Sequence, residues 1–178
     1  MNDNDRILLH VCCAPCATSC LERLAAAKKR VTLFFANSNI APAEEYYKRL
    51  QEVFRLSKLF STPLEVDDYD HDAWLRSIAG LENEPEKGAR CRRCFGFSFA
   101  RTQNAAESLG LPAFTTTLTV SPHKSSSVLF EIGKDFPRFT PCDFKKKEGF
   151  RRSLQLSRHF ALYRQNFCGC EFSREDRR

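Results

Sequence analysis

Thiol side chains are the most informative chemical groups in this sequence. Nine cysteines occur in 178 residues, and seven of them are clustered. The clusters are Cys12-Cys13-Ala14-Pro15-Cys16, Cys91-Arg92-Arg93-Cys94 and Cys168-Gly169-Cys170. Thiolates at such spacings bind metal ions or transfer electrons. The sequence therefore predicts a redox metalloprotein.

The first cluster follows an apolar, strand-like run at residues 7–11 and precedes a helix. A helix N-terminus stabilises thiolates, and the carboxyl edge of a parallel sheet is a common place for a functional site. Three interpretations remain open on these grounds. Cys13 and Cys16 resemble a thioredoxin or glutaredoxin pair. Alternatively, the cluster joins Cys91 and Cys94 in a four-thiolate zinc site, or some of these thiols hold an iron–sulfur cluster.

The long separation between the first two clusters favours a site that is assembled by the fold. Zinc ribbons separate their cysteine pairs by about 15–20 residues, and the gap from Cys16 to Cys91 is far longer. Sulfur-only ligation suits both metals, and we favour iron–sulfur over zinc. Since successive side chains in extended backbone point to opposite faces, we expect Cys12 and Cys13 to diverge and to bridge a cluster and a second metal.

The remaining cysteines divide into one pair and two single residues. Glycine between Cys168 and Cys170 allows the two sulfurs to meet in a strained, labile disulfide. Cys20 and Cys142 are interpreted as structural residues.

The excess of positive over negative charge is confined to the C-terminal part of the chain. Residues 1–137 carry 17 basic and 17 acidic side chains, whereas residues 138–178 carry 11 and 5, so the net charge of +6 lies in this segment. Aromatic residues alternate with the basic ones over residues 143–152, a pattern typical of RNA binding. A solvated basic helix face is the alternative. The hydroxyl-rich loop at residues 121–127 could hold a phosphate or could simply cap a helix.

The order of elements predicts a single α/β domain over residues 1–178. Strands are expected at residues 6–11, 31–35, 64–66 and 113–120, and helices at 18–29, 43–60, 95–109, 126–136 and 151–160. This alternation favours a three-layer, mostly parallel, Rossmann-like sheet with helices on both faces. Residues 67–90 are expected to form an irregular acidic insert, and residues 138–178 a basic C-terminal segment.

Several classes of function and location are disfavoured. Residues 1–6 contain no signal-peptide core, and no apolar run approaches the length of about 20 residues that a membrane span needs. Free thiols in an odd number fit a reduced compartment, so we expect a cytoplasmic protein. No Gly-x-Gly-x-x-Gly or Walker motif occurs, so nothing indicates a nicotinamide or P-loop nucleotide site.

Six segments together resemble a known enzyme family. They are residues 8–16, 80–86, 90–95, 116–124, 143–146 and 162–170. In order and in content they are similar to the cobalamin-independent epoxyqueuosine reductases of the QueH type. The resemblance extends over nearly the whole chain.

This resemblance implies a function and a fold. The family reduces epoxyqueuosine to queuosine at the wobble position of tRNA, the last step of queuosine biosynthesis, on a HUP-type α/β fold. The family binds a [4Fe-4S] cluster, and its ligands match Cys12, Cys13, Cys91 and Cys94. In one interpretation, a mononuclear iron lies next to this cluster. The partners implied are tRNA containing epoxyqueuosine and an unidentified electron donor, with no membrane.

The resemblance also implies roles for the remaining chemical groups. Cys168 and Cys170 match a catalytic, redox-active disulfide. The chemistry of epoxide reduction, rather than the resemblance, requires a proton donor at the leaving oxygen. Asp70 and Asp143 are candidates for that role or for an oxygen ligand to iron, and the sequence does not choose between them. The alternatives are a zinc-stabilised tRNA-binding module without catalysis and a glutaredoxin-like thiol oxidoreductase.

Overall fold

Four parallel strands form the sheet in the computed structural model, which describes residues 5–175. The strands are β1 (Arg6–His10), β2 (Arg30–Phe35), β3 (Leu64–Val66) and β4 (Phe114–Thr116). Their order is β3-β2-β1-β4, and every neighbouring pair is parallel. Parallel strands need crossover connections, and helices provide them here.

Seven helices lie within the described residues. They are α1 (Ala14–Ala26), α2 (Ala43–Leu59), α3 (His71–Ser77), α4 (Ala89–Ser108), α5 (Ser126–Gly133), α6 (Gly149–His159) and α7 (Phe172–Glu175). A short 3₁₀ turn at Thr117–Val120 follows β4 directly. In this part of the chain, no helix has the length and apolar character needed to cross a bilayer.

The two faces of the sheet carry separate hydrophobic cores. Alternate residues of β1 point to opposite sides: Leu9 packs in the core that contains α1 and α2, whereas Leu8 packs in the core that contains α4 and α5. Both side chains are fully buried. This arrangement confirms the predicted three-layer α/β fold with a parallel sheet.

The strand order places a crevice between β1 and β4. From β1 the chain proceeds to β2 on one side, and it later returns to add β4 on the other side. Ligands of open α/β sheets bind at such a reversal point, outside the carboxyl ends of the strands. Here these ends are followed by Cys12 and Thr117, respectively.

Some boundaries differ from the prediction, and the differences affect the site. Helix α4 begins at Ala89, a few residues earlier than the predicted bound, so Cys91 and Cys94 lie in its first two turns, as expected for cysteines that open the helix. The insert is not wholly irregular, because it contains α3, whose N-cap is Asp70. The predicted strand at residues 113–120 is strand only as far as Thr116. The rest is the 3₁₀ turn, which brings Thr117 close to the first cysteine cluster.

Candidate functional site

Three cysteine sulfurs converge at the carboxyl end of β1. Cys12 and Cys13 follow the strand, and Cys13 is the N-cap of α1, while Cys16 lies in the first turn of that helix. The three Sγ atoms all lie within 4.8 Å of one another, and those of Cys12 and Cys13 are 3.9 Å apart. We call Cys12, Cys13 and Cys16 the thiol triad. Its geometry suits a metal ion.

The geometry of the thiol triad differs from the sequence-based expectation in two respects, the direction of the Cys12 and Cys13 side chains and the presence of Cys16. Cys12 and Cys13 were expected to point to opposite faces, but their sulfurs meet, because both residues lie beyond the last residue of β1, where strand alternation no longer applies. The ligand set inferred from the family resemblance contains Cys12 and Cys13 but omits Cys16. The structure brings Cys16 to the same point.

The three thiols have different pKa values because they form hydrogen bonds with one another. The S–H groups of Cys12 and Cys16 hydrogen-bond to the Cys13 sulfur, and this lowers the pKa of Cys13 well below its usual range. The hydrogen bond to Cys13, together with burial, raises the pKa of Cys12 to about 12. Hydrogen bonds to Cys12 and Cys13, together with burial, raise the pKa of Cys16. Cys13 is therefore the sulfur that ionises first, and a thiolate is the form that ligates a metal.

Thr117 fixes the position of Cys12 from the other side of the crevice. Its fully buried hydroxyl accepts a hydrogen bond from the Cys12 backbone N–H at 3.0 Å and donates to Cys12 Sγ at 3.2 Å. The neighbouring Thr116 hydroxyl contacts His10 Nδ1 at 2.9 Å. Burial lowers the pKa of His10 to about 4, so this histidine is neutral at neutral pH and serves to join β1 to β4.

Thr117→Val is expected to destabilise the protein while keeping the shape of the side chain. The valine leaves the buried Cys12 N–H without its acceptor, and such a loss costs about 1–3 kcal/mol. Urea denaturation measures the effect. Thr117→Ser keeps the hydroxyl and is the matched control. Equal unfolding free energies for the valine and serine variants would show that the hydroxyl does not hold Cys12.

Cys91 and Cys94 lie on α4 and are not part of the thiol triad. Cys91 Sγ accepts a hydrogen bond from the Lys87 backbone N–H at 3.2 Å. Cys94 lines the same cavity as Cys12 and Cys16. Burial raises the pKa of both α4 thiols, and the nearby Cys168 sulfur raises each of them further. That Cys91 and Cys94 ligate a cluster together with Cys12 and Cys13 remains a prediction.

The loop that carries Cys168 and Cys170 is held by a buried arginine. Arg49 donates from Nη1 to the Cys168 carbonyl at 2.9 Å, and its Nε pairs with Glu45 at 2.7 Å. Gly169 adopts a φ of +111°, and a Cβ there would approach Ile40 to 3.0 Å. Only glycine fits this conformation and this space without strain.

A cavity of about 420 Å³ lies above the carboxyl ends of the strands. This volume lies within the usual range for a small-molecule site. Thiols from all three clusters line it, namely Cys12, Cys16, Cys94 and Cys168. Aromatic rings also line it, namely Phe95, Phe150 and Phe167. The arrangement places redox-active sulfur beside surfaces on which a flat ring can stack.

Both carboxylates predicted as proton donors or metal ligands have structural partners. Asp70 Oδ1 accepts the Ala73 backbone N–H at 2.8 Å and caps α3. Asp143 Oδ1 accepts from the Ser126 hydroxyl at 3.0 Å and from the Lys145 backbone N–H at 3.3 Å. Neither residue is among the described residues that line the cavity.

Lys124 is a site residue whose role the sequence did not indicate. It belongs to the hydroxyl-rich loop, for which phosphate binding or capping was expected. Ser125 does cap α5 by accepting the Val128 N–H, but the Lys124 ammonium turns into the cavity and contacts Cys168. Sequence spacing gave no signal for this contact, because 43 residues separate the two positions.

Comparison with known proteins assigns a family name to these features. A family model described as "Epoxyqueuosine reductase QueH" matches residues 7–176. Relatives with the same name are 40% identical in Streptococcus pyogenes serotype M1, over 94% of this chain and 69% of the relative. In Acinetobacter baylyi the identity is 35%, over 97% and 82%. In Thermotoga maritima it is 33%, over 97% and 92%. The matched region contains all three thiol clusters.

Proposed function

The chain belongs to the epoxyqueuosine reductase QueH family, and we propose that it is an oxidoreductase that reduces epoxyqueuosine to queuosine in tRNA. The reaction removes the epoxide oxygen as water, and it consumes two electrons and two protons. The observation that carries this proposal is the cavity at the β1–β4 crevice, where thiols of three separate clusters meet aromatic side chains.

An iron–sulfur cluster is the cofactor that best fits the donor set. Cys12 and Cys13 would hold it together with Cys91 and Cys94, as the family resemblance implies, and an adjacent mononuclear iron would complete the site. The buried, sulfur-only donors of the thiol triad support this choice, because soft thiolates prefer iron–sulfur or zinc over hard cations. When bound, such a group supplies electrons one at a time, and an iron with an open position polarises the epoxide oxygen.

The thiol triad contains one cysteine, Cys16, that the inferred ligand set does not. Its sulfur lies within 4.8 Å of both Cys12 and Cys13, and its S–H helps to stabilise the Cys13 thiolate. Cys16 therefore either replaces one inferred ligand or supports the others by a hydrogen bond to sulfur. In the supporting role, the Cys16 S–H keeps Cys13 ionised and ready to ligate.

Cys168 and Cys170, the thiol pair of the C-terminal loop, are proposed to supply electrons to the substrate in the cavity. Oxidation of Cys168 and Cys170 to a disulfide releases two electrons and two protons, which matches the requirement for one epoxide. An external electron donor must then reduce the disulfide again. Arg49 supports this role by fixing the Cys168 carbonyl, so that the Cys168 side chain remains in the cavity wall.

The basic C-terminal segment is proposed to bind the tRNA backbone beside the cavity. Phe150 and Leu154 of α6 line the cavity, so the first two turns of this helix border it. Lys146 and Lys147 precede the helix and are exposed. Arginine and lysine side chains neutralise phosphates, while an unpaired base stacks on an aromatic ring. The wobble nucleoside would then enter the cavity with its neighbouring phosphates outside.

Nucleoside mass spectrometry on tRNA that carries epoxyqueuosine tests the reaction. Protein reconstituted with iron and sulfide, kept anaerobic and supplied with a strong reductant, is expected to convert epoxyqueuosine to queuosine. Protein treated identically without iron is the control and should leave the nucleoside unchanged. No conversion by a sample with verified iron and sulfide would reject the proposed reaction.

One observation also favours a thiol oxidoreductase as a second candidate. Cys13 sits at the N-cap of α1 with a lowered pKa and with Cys16 three residues later, which is the arrangement of a disulfide-exchange pair. This candidate requires disulfide-exchange activity that needs no iron and disappears in Cys16→Ser. It leaves the thiols on α4 and in the C-terminal loop without a role, so we rank it second.

A further inference from the structure

Lys124 places a positive charge beside one sulfur of the C-terminal thiol pair. Its Nζ atom lies 3.5 Å from Cys168 Sγ, within hydrogen-bonding distance for a sulfur acceptor. Both side chains line the cavity. Among the carboxylates of residues 5–173, none forms an ion pair with Lys124. The Cys168 sulfur is therefore the partner that this ammonium group has in the cavity.

Cys170 has a contrasting environment although it is only two residues away. It is 7% exposed and packs in a small apolar cluster with the fully buried Trp74 and Ile78. It does not line the cavity among the described residues. The pair is thus asymmetric, because the Cys168 sulfur faces the cavity and contacts the Lys124 ammonium, whereas Cys170 packs among apolar side chains. Burial there raises the pKa of Cys170, and the charge of Arg90 opposes this effect.

The structure keeps the lysine charged and in place. The nearby Cys168 sulfur raises the pKa of Lys124, burial opposes this effect, and the sulfurs of Cys12 and Cys16 raise the pKa further. The Lys124 carbonyl accepts a hydrogen bond from the Lys145 ammonium, which ties its loop to the segment before α6. An ammonium held in this way is a fixed feature of the cavity rather than a mobile surface group.

We propose that Lys124 is a positioning residue that holds the Cys168 sulfur toward the cavity and makes Cys168, rather than Cys170, the thiol that reacts there. This inference rests on the proposed function, in which the pair supplies two electrons. Cys170 is then the enclosed thiol with which Cys168 pairs when both are oxidised. Lys124 thereby determines that Cys168, rather than Cys170, faces the substrate.

The test measures the reactivity of single thiols and needs neither iron nor tRNA. The full chain is reduced, freed of reductant under anaerobic conditions and treated with limiting iodoacetamide at neutral pH, where each sulfur alkylated displaces iodide. Peptide mass spectrometry then gives the rate at each cysteine. The variants are Lys124→Met, which keeps the length but not the charge, and Lys124→Arg, which keeps a cationic N–H donor. Cys142, which has no contact with Lys124, is the internal reference.

In the parent protein, Cys168 is expected to react faster than Cys170. Lys124→Met should slow alkylation of Cys168 by about tenfold, because it removes a charge-assisted hydrogen bond to the sulfur, while the rate at Cys142 is unchanged. Lys124→Arg should restore most of the rate.

Three results would overturn the proposal: faster alkylation of Cys170 than of Cys168 in the parent, equal Cys168 rates in all three proteins, or an equal loss in both variants. A parallel change at Cys142 would also overturn it, because it would indicate a general structural effect. None of these results depends on whether the chain reduces epoxyqueuosine, so the two proposals can fail separately.

Discussion

Cys13→Ser is expected to abolish iron binding and to lower epoxyqueuosine reduction by at least about 100-fold. Loss of a group that merely supports a metal ligand already costs 10–100-fold in affinity or activity, and Cys13 is proposed as a ligand itself. It is also the sulfur on which the S–H groups of Cys12 and Cys16 converge. A serine hydroxyl in its place is a hard, protonated donor that suits iron–sulfur chemistry poorly.

The matched control for this variant lies on the same helix. Cys20 follows Cys16 by one turn of α1, is fully buried and lies outside the thiol triad. Cys20→Ala should therefore retain iron and activity, with only a modest loss of stability. Iron content per chain and the visible absorption spectrum are measured after identical anaerobic reconstitution. A Cys13→Ser protein with parental iron content would remove Cys13 from the ligand set.

The thiol triad illustrates how far sequence spacing can locate a site. The position of Cys12 and Cys13 after an apolar run was enough to predict a site at the carboxyl edge of a parallel sheet, and the structure places the thiol triad at that edge. Spacing could not predict that the two sulfurs converge. This depends on the backbone of Cys12 and Cys13 after the strand ends, which residue patterns do not specify. The inclusion of Cys16 depends on where α1 begins, and this helix starts four residues earlier than predicted.

Local sequence patterns could not predict the side-chain contacts that form across the crevice between β1 and β4. Thr117 meets Cys12 because the chain leaves β4 in a 3₁₀ turn, although the apolar and β-branched composition of residues 113–120 favoured continuous strand. Lys124 meets Cys168 because two loops from distant parts of the chain border one cavity. The fold class follows from periodicity, whereas the chemistry of the cavity depends on how loops of different lengths meet at one edge of the sheet.

Burial, rather than hydrogen-bond geometry, distinguishes two of the arginine–carboxylate pairs within the described residues, Arg152–Glu22 and Arg49–Glu45. Arg152 contacts both oxygens of Glu22, at 2.8 and 2.7 Å, but its side chain is 49% exposed. Arg49 contacts Glu45 at 2.7 Å through Nε, and its side chain is 2% exposed. Water competes for the first pair and not for the second. The i,i+4 spacing of Glu45 and Arg49 suggests a pair on α2, but the sequence does not reveal that this pair is buried, nor that Arg152 pairs with Glu22, 130 positions away.

Arg49→Met is accordingly expected to destabilise the protein by about 3–5 kcal/mol, because removal of one partner leaves a buried charge unpaired. For a chain of this size, the loss corresponds to a fall in Tm of about 6–20 °C. Glu45 would retain only the Tyr163 hydroxyl, at 3.1 Å, among its described side-chain partners. The carbonyls of Phe167 and Cys168 would lose the guanidinium that orients the C-terminal thiol loop.

Thermal unfolding followed by circular dichroism measures this effect, with Arg152→Met as the control. The exposed pair should contribute little, so the control should unfold close to the parent temperature even though its ion pair has the better geometry. Iodoacetamide labelling at a temperature where Arg49→Met remains folded should also show faster modification of Cys170, since its loop is no longer fixed. If Arg49→Met and Arg152→Met unfold at the same temperature, the buried pair does not stabilise the loop, and the dithiol must be positioned by Gly169 and its contact with Ala41 instead.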